Sequence, residues 1–170
     1  ASDYAGVLEV DLAGDAGEVR IFTGSDDTSV TTRAGRSARI DASYLNTGDL
    51  FLDGVGNVTA VDVGSITVDA SQDLAGDAEA VNPLTGTLNL TTLDNVNYTL
   101  NTGTNNTTVT SDDGSGTIDA TQLRNDFTLT LSGSSTTTVT ELQGDVVATN
   151  STGTLDITTA ASVADDDVSI

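Results

Sequence analysis

The stretch Ile40-Asp41-Ala42-Ser43-Tyr44-Leu45 recurs later in the chain as Ile118-Asp119-Ala120-Thr121-Gln122-Leu123. Residues two apart in an extended strand share a face, so Ile40 and Ala42 point one way and Asp41 points the other. The pattern therefore predicts a β-strand with one buried face and one exposed face. Because both copies keep the same order of residue types, we interpret them as one structural unit that is used more than once.

The sequence on either side of this stretch also matches between the two copies, which indicates tandem repeats. Residues 4–10 correspond to residues 84–90, and residues 23–30 correspond to residues 102–109. The offset stays between 78 and 80 residues through these matches and drops to 67 at the third copy, which begins at Thr152. We interpret the chain as three parts: repeat one at 1–83, repeat two at 84–151, and the start of a third repeat or a C-terminal tail at 152–170.

Apolar residues alternate with polar ones in short segments that recur about every ten residues, with Gly, Asn and Asp between them. This pattern predicts an all-β protein without long helices. Leu8, Ile40 and Ile66 are spaced by roughly thirty residues, which predicts three strands for each turn of a coil with a triangular section. We predict a right-handed parallel β-solenoid (β-helix) built from tandem repeats. The alternative is two β-sandwich domains, one for each repeat; small inward residues such as Ala42 and Ala120 favour the solenoid.

The charge of the chain excludes several classes of partner and of chemistry. It carries 26 acidic residues against 5 basic residues, all of them Arg, and its net charge is -21. Such a charge repels nucleic acid and anionic membrane surfaces, and no apolar run is long enough for membrane insertion. The chain has no His, Lys or Cys, so the usual general base, amine and thiolate nucleophiles are missing. We predict that the protein is not an enzyme.

Clusters of Asp in predicted turns are the best candidates for a metal site. Calcium binds six to eight oxygen ligands, and carboxylates and carbonyls at a turn can supply them. The alternative is that these carboxylates cap turns and are solvated. The candidate calcium ligands are Asp26, Asp27, Asp112, Asp113, Asp165, Asp166 and Asp167.

Three of the five Arg residues, namely Arg33, Arg36 and Arg39, lie within seven positions of each other in repeat one. By the alignment of the repeats, Arg33 corresponds to Asp112, which Asp113 follows. If the repeats stack along one axis, these equivalent turns lie on the same side and carry opposite charge. We therefore predict a head-to-tail assembly contact between the Arg group of one copy and the Asp pair of the next. The alternative is that the Arg residues relieve acidity within their own chain.

Repeat one contains about a dozen extra residues, which fall within the insert at 71–83. This insert holds the single Pro of the chain and the acidic residues Asp73, Asp77 and Glu79. Because loops that project from a repeat scaffold often carry recognition, these three residues mark a candidate binding loop.

Several phrases resemble the β-strand repeats of giant bacterial surface proteins: Ile-Asp-Ala-Ser-x-x-Leu, Leu-Thr-Gly-Thr-Leu-x-Leu-Thr-Thr and Leu-x-Leu-Ser-Gly-Ser. That group includes surface-layer proteins and adhesins exported by type I secretion, whose later regions often form calcium-dependent β-solenoids. The resemblance implies a secreted protein located outside the cell or on its surface, with bound Ca²⁺. The calcium nonapeptide Gly-Gly-x-Gly-x-Asp of that group is absent from this sequence.

Composition, repetition and resemblance together predict an extracellular structural protein, a repeat module of a surface layer, adhesin stalk or self-assembling filament. Its partners would be copies of itself or neighbouring repeats of a longer chain. The alternative function is a glycan- or cell-binding adhesion module that uses the insert at 71–83 on an inert scaffold.

Overall fold

The computed structural model describes residues 6–12, 17–71 and 83–160. Within these ranges the chain forms two parallel sheets and no helix. The odd-numbered strands form the odd sheet: β1 (Leu8–Asp11), β3 (Thr28–Thr32), β5 (Leu50–Gly54), β7 (Thr67–Asp69), β9 (Val96–Asn101), β11 (Gly114–Asp119), β13 (Thr136–Leu142) and β15 (Leu155–Thr159). The even-numbered strands form the even sheet: β2 (Gly17–Phe22), β4 (Arg36–Asp41), β6 (Asn57–Val63), β8 (Leu88–Thr92), β10 (Thr107–Thr110), β12 (Thr128–Gly133) and β14 (Asp145–Ser151).

The chain alternates between the two sheets, so the protein is a parallel β-solenoid of about seven turns with two strands in each turn. Paired residues on successive turns are 17 to 22 positions apart in the sequence, except where the insert intervenes. This architecture confirms the predicted all-β solenoid and excludes the alternative of two β-sandwich domains. The predicted triangular turn of three strands is wrong, because Leu8 and Ile40 lie in different sheets and do not stack on each other.

The core lies between the sheets and consists of columns of inward side chains, one from each turn. In the odd sheet, one column is Leu8, Thr28, Leu50, Val68, Leu100, Ile118, Val139 and Ile157. In the even sheet, one column is Val19, Ala38, Val58, Leu88, Thr107, Leu129 and Val146. The middle members are fully buried, whereas Leu8, Val19 and Ile157 at the two ends are only partly buried. Burial of these apolar columns is the main force that holds the turns together.

Each sequence repeat places equivalent strands in opposite sheets. Repeat one holds β1 to β7 and repeat two holds β8 to β14, so β1 in the odd sheet corresponds to β8 in the even sheet. Seven strands at two per turn amount to three and a half turns. The second repeat is therefore related to the first by a half-turn about the solenoid axis together with a shift along it.

The repeated Ile-Asp-Ala stretch ends a strand and begins a corner. The Asp41 Oδ1 atom accepts hydrogen bonds from the backbone N–H and the hydroxyl of Ser43, at 3.2 and 2.7 Å. The N–H of Leu45 then donates to the Ala42 carbonyl oxygen at 2.9 Å, which places the Leu45 side chain in the core. Asp119 and Thr121 make the same pair of hydrogen bonds in repeat two. The Asp is therefore a turn-forming residue at a corner.

Because all strands within a sheet are parallel, the corners lie along two edges of the solenoid. At the first edge the chain passes from the odd sheet to the even sheet, and at the second edge it passes from the even sheet to the odd sheet. The two edges are about 20 Å apart, the length of a strand of about six residues.

Candidate functional site

The acidic turn at Asp26 and Asp27 lies on the second edge, between β2 and β3. The Thr47 hydroxyl, one turn further along the solenoid, donates to Asp26 Oδ1 at 2.9 Å. The backbone N–H of Asp49 donates to Asp27 Oδ1 at 2.9 Å. Asp49 in turn accepts a hydrogen bond from the N–H of Thr67 at 2.8 Å. These carboxylates therefore join neighbouring turns through hydrogen bonds.

The turn at Asp112 and Asp113 lies on the same edge, between β10 and β11. The N–H of Ser134 donates to Asp112 Oδ1 and its hydroxyl donates to Asp113 Oδ1, both at 3.1 Å. Asp113 has a left-handed backbone with φ of 50°, which Asp tolerates better than most residues. The two acidic turns are four strands of the odd sheet apart, or about 19 Å, so their carboxylates do not meet.

No group of three or more acidic residues is placed to hold a metal ion within residues 6–12, 17–71 and 83–160. The three remaining candidate ligands, Asp165, Asp166 and Asp167, lie outside the described residues. Calcium binding at the acidic turns stays a prediction.

A comparison between the repeats shows what the carboxylate of Asp27 does. Its equivalent in repeat two is Asn106, whose Oδ1 accepts a hydrogen bond from the N–H of Thr128 at 2.8 Å. Thr128 is the equivalent of Asp49, the donor to Asp27. A neutral amide makes the same contact in the second repeat, so this hydrogen bond does not require a negative charge.

Arg33, the first residue of the predicted assembly contact, is already paired within the chain. Its Nε and Nη2 atoms donate to the Oδ1 and Oδ2 atoms of Asp11 at 2.9 and 2.6 Å. This hydrogen-bonded guanidinium holds the pKa of the Asp11 carboxyl below its ordinary value of 3.8. The pair is exposed to solvent, which limits its contribution to stability. The alternative interpretation, that Arg relieves local acidity, therefore describes Arg33.

The prediction that Arg33 lies on the same side of the solenoid as Asp112 and Asp113 is wrong, whereas the contact between copies stays a prediction. Arg33 lies between β3 and β4, on the first edge, whereas Asp112 and Asp113 lie between β10 and β11, on the second edge. A seven-strand repeat contains an odd number of half-turns, so equivalent corners fall on opposite edges.

The structure brings together a different group of cations on the outer face of the even sheet. Arg39 lies directly beside Arg20 on the neighbouring strand, and both side chains are exposed. Arg20 also forms a long ion pair of 3.7 Å with Glu18. The sequence analysis did not identify Arg20 as part of this group. The signal that could have found it is its separation of 19 positions from Arg39, which is the number of residues in one turn of the solenoid here.

Arg36, at the start of β4, lines a cleft at the first edge. The cleft has a volume of about 270 Å³ and is open to solvent. Its walls are Gly35, Arg36, Ser37, Val55, Gly56 and Asn57. One Arg and two small polar side chains offer hydrogen-bond donors there, but no carboxylate accompanies them, so the cleft has no acid–base pair.

The insert leaves the scaffold at a corner of the repeated type. The stretch Val68-Asp69-Ala70-Ser71 repeats the corner pattern, and Ser71 donates to Asp69 Oδ1 as Ser43 does to Asp41. Val58 and its partner Leu88 are 30 positions apart, which matches one turn plus about eleven extra residues. The candidate loop residues Asp73, Asp77 and Glu79 lie outside the described residues.

A group of buried hydroxyls replaces apolar packing in one part of repeat two. The Thr92 hydroxyl donates to Ser111 Oγ at 2.9 Å, and Ser111 Oγ lies 2.7 Å from Ser135 Oγ. The nearby Tyr98 side chain is 3% exposed, and its hydroxyl makes no hydrogen bond of ordinary geometry with the described residues. Burial raises the pKa of Tyr98, and the neighbouring hydroxyls of Thr137 and Ser111 oppose that rise only in part.

The described part of the chain contains no helix of the length and apolar character that membrane spanning requires. No protein-family model matches the sequence, and neither the curated proteins nor the solved structures contain a match.

Proposed function

We propose that this protein is an extracellular structural protein, a repeat module of a surface layer, an adhesin stalk or a self-assembling filament. The observation that carries the proposal is that the acidic side chains of two turns form hydrogen bonds between successive turns of the solenoid. Asp26, Asp27, Asp112 and Asp113 bond to the next turn of the solenoid. Because every turn stacks on the one before it in the same direction, the solenoid is a rod that can be lengthened by further repeats.

The acidic surface and the resemblance to repeats of bacterial surface-layer proteins and adhesins support a location outside the cell. A net charge of -21 keeps a rod of this kind soluble and separates it from anionic surfaces. The proposal includes calcium ions bound by the outer carboxylates, since free charges of one sign on an extended rod repel each other.

Antibodies raised against the chain test the location and the role together. Immunogold labelling of intact, unpermeabilised cells of the source organism should decorate the surface, and deletion of the coding region should remove a visible layer or fibre. Labelling only after the cells are permeabilised would contradict an extracellular role. An antibody against a cytoplasmic protein is the control for intact cells.

A second candidate function is a glycan- or cell-binding adhesion module that uses the insert at 71–83. The observation that favours it is the way the insert joins the scaffold: Leu84 N–H donates to the Ala70 carbonyl oxygen at 2.9 Å, the bond that closes the uninterrupted corners. The loop is thus added without loss of the corner. Glycan-array binding that disappears when the insert is replaced by a short corner would support this function, and no binding by either form would remove its basis.

A further inference from the structure

The two ends of the described solenoid present strands that are paired on one side only. Among the described residues, β14 pairs only with β12 and β15 only with β13, while β1 pairs only with β3 and β2 only with β4. Such edges carry unpaired backbone N–H and C=O groups and can add a further strand. Inward residues at these ends, such as Leu155, Ile157 and Leu8, are also only partly buried.

The number of strands decides how a second copy can continue the coil. Among the described strands, the last of the even sheet, β14, comes before the last of the odd sheet, β15, so the next position of the coil belongs to the even sheet. In a following copy that strand is β1, which lies in the odd sheet of its own molecule. The coil is continuous only if the second copy is turned by a half-turn, so that its odd sheet extends the even sheet of the first.

We propose that copies of this chain associate end to end with a half-turn between them, so that β1 of one copy adds to β14 of another and β2 adds to β15. This inference rests on the proposed structural function and names the partner and the contact. The internal repeat supplies the precedent, because repeat two follows repeat one with the same half-turn and the same exchange of sheets.

The repeat also defines the register of the contact. β2 is equivalent to β9, in which Thr99 occupies the outward column of Thr117, Thr138 and Asp156. Arg20 is the equivalent of Thr99. When β2 of the second copy takes this register beside β15, Arg20 lies next to Asp156 of the first copy. Opposite charges that face each other on neighbouring strands favour pairing.

Apolar residues meet on the inner side of the same contact. The equivalents of Tyr98 and Leu100 are Val19 and Ile21, which would continue the columns of Leu155 and Ile157. In the other sheet, Leu8 of the second copy would continue the column of Val146, because β1 is equivalent to β8. Both new contacts bury residues that the single chain leaves partly exposed or at its ends.

Stacking without the half-turn is geometrically different. In that arrangement β1 of the second copy would follow β15 of the first within the odd sheet. Leu8 of the second copy would then lie beside Ile157 of the first, because both residues belong to the same inward column of the odd sheet. Val7 would then lie beside Asp156. None of the described strands would occupy the position in the even sheet between β14 and the next β2, so the backbone groups that face this position would lack a partner among them.

Disulfide cross-linking distinguishes the two arrangements. Because the sequence has no Cys, only the introduced Cys residues can form disulfides. Neighbouring strands are about 4.8 Å apart, within the range of Cα separations that a disulfide spans. The full chain carrying Arg20→Cys and Asp156→Cys should form a ladder of covalent dimers and longer species when oxidised with diamide. The matched variant with Val7→Cys and Asp156→Cys should remain monomeric on the same gel.

Charge reversal provides a second, non-covalent readout by sedimentation velocity. Arg20→Asp or Asp156→Arg alone should weaken end-to-end association by about fivefold, and the double reversal should restore it. Asp94→Arg, at the exposed corner between β8 and β9 in the middle of the described solenoid, is the control and should leave association unchanged. Circular dichroism of each variant checks that the β-sheet content is intact.

Cross-linking through Val7→Cys instead of Arg20→Cys would overturn the half-turn while leaving self-assembly intact. A wild-type chain that stays monomeric at all concentrations, with neither pair cross-linking, would overturn the association itself. Surface labelling of cells decides the proposed extracellular role separately from both outcomes.

Discussion

The backbone N–H of Leu84 donates to the carbonyl oxygen of Ala70 at 2.9 Å, although the two residues are 14 positions apart. The same bond joins Leu45 to Ala42 and Leu123 to Ala120, each across three positions. Leu84 is fully buried, as its two counterparts are. The extra residues of the insert therefore lie inside a corner whose first and last residues keep their usual places.

Replacement of residues 72–83 by a single glutamine, as at Gln122, should leave the fold intact. Because a shorter loop loses less entropy when it closes, the free energy of unfolding should be unchanged or higher by about 1 kcal/mol. Chemical denaturation monitored by circular dichroism measures it. Leu84→Ala is the matched variant and should lower the free energy of unfolding by about 2–5 kcal/mol, because it empties a core position. A loss of stability on loop replacement would contradict this description of the corner.

Gly116 provides room for the ring of Tyr98 on the neighbouring strand. A Cβ atom at Gly116 would lie 2.4 Å from the Tyr98 hydroxyl oxygen and from its Cζ atom. Gly116→Ala should therefore lower the free energy of unfolding by about 1–3 kcal/mol. The equivalent pair in repeat one is Val19 beside Ala38.

The combination of Gly116→Ala with Tyr98→Val should consequently recover most of that loss, as a double-mutant cycle by denaturation would measure. Ser115→Ala, at the exposed neighbouring position, controls for the change of strand residue and should cost at most about 1 kcal/mol, because it removes only the exposed hydrogen bond from Ser115 Oγ to Asn97 Oδ1. Additive effects of the two core substitutions would show that the ring and the glycine do not depend on each other.

Tyr98 should make the stability of the protein fall at high pH. Burial raises the pKa of Tyr98 above its ordinary value of 10.0, so the folded state holds this proton more tightly than the unfolded state. The contribution is fully present below pH 10 and is lost as the pH rises through the folded pKa. Unfolding curves between pH 8 and pH 11, values chosen around the ordinary tyrosine pKa of about 10, measure the effect.

Tyr98→Phe should flatten that decline, and Tyr44→Phe is the matched control because Tyr44 is exposed. If the Tyr44 variant flattened the curve as much as the Tyr98 variant, the assignment to the buried phenol would be wrong.

Asp27 separates a hydrogen-bonding role from a calcium-binding role. Asp27→Asn should leave the melting temperature in chelator unchanged, since Asn106 makes the equivalent bond in repeat two. Asp27→Ala should cost about 1 kcal/mol, because the N–H of Asp49 loses its acceptor. The measurement is a thermal melt in chelator and in millimolar calcium at fixed ionic strength.

A calcium-specific rise in the melting temperature of the wild type that Asp27→Asn abolishes would assign the carboxylate as a ligand. Equal melts in magnesium and calcium would instead assign the rise to general screening.

Several features of this protein follow from its sequence. The alternation around Ile40 and Ile118 determines strands with one buried face, because side chains in a strand alternate between its two sides. The change of offset after repeat one locates the insert, since extra residues must lie where the alignment breaks. Small inward residues such as Ala42 and Ala120 favour stacking over a sandwich, and both are buried at corners.

Other features were decided only by the tertiary structure. Each ten-residue segment predicts a strand, but the angle of the corner after it depends on packing between turns. The predicted number of three strands per turn was wrong for this reason. The placement of Arg20 beside Arg39, and of Arg33 and Asp112 on opposite edges, depends on that angle. A local pattern reports which side of a strand a residue occupies, whereas the neighbour it meets is set by the number of residues in one whole turn.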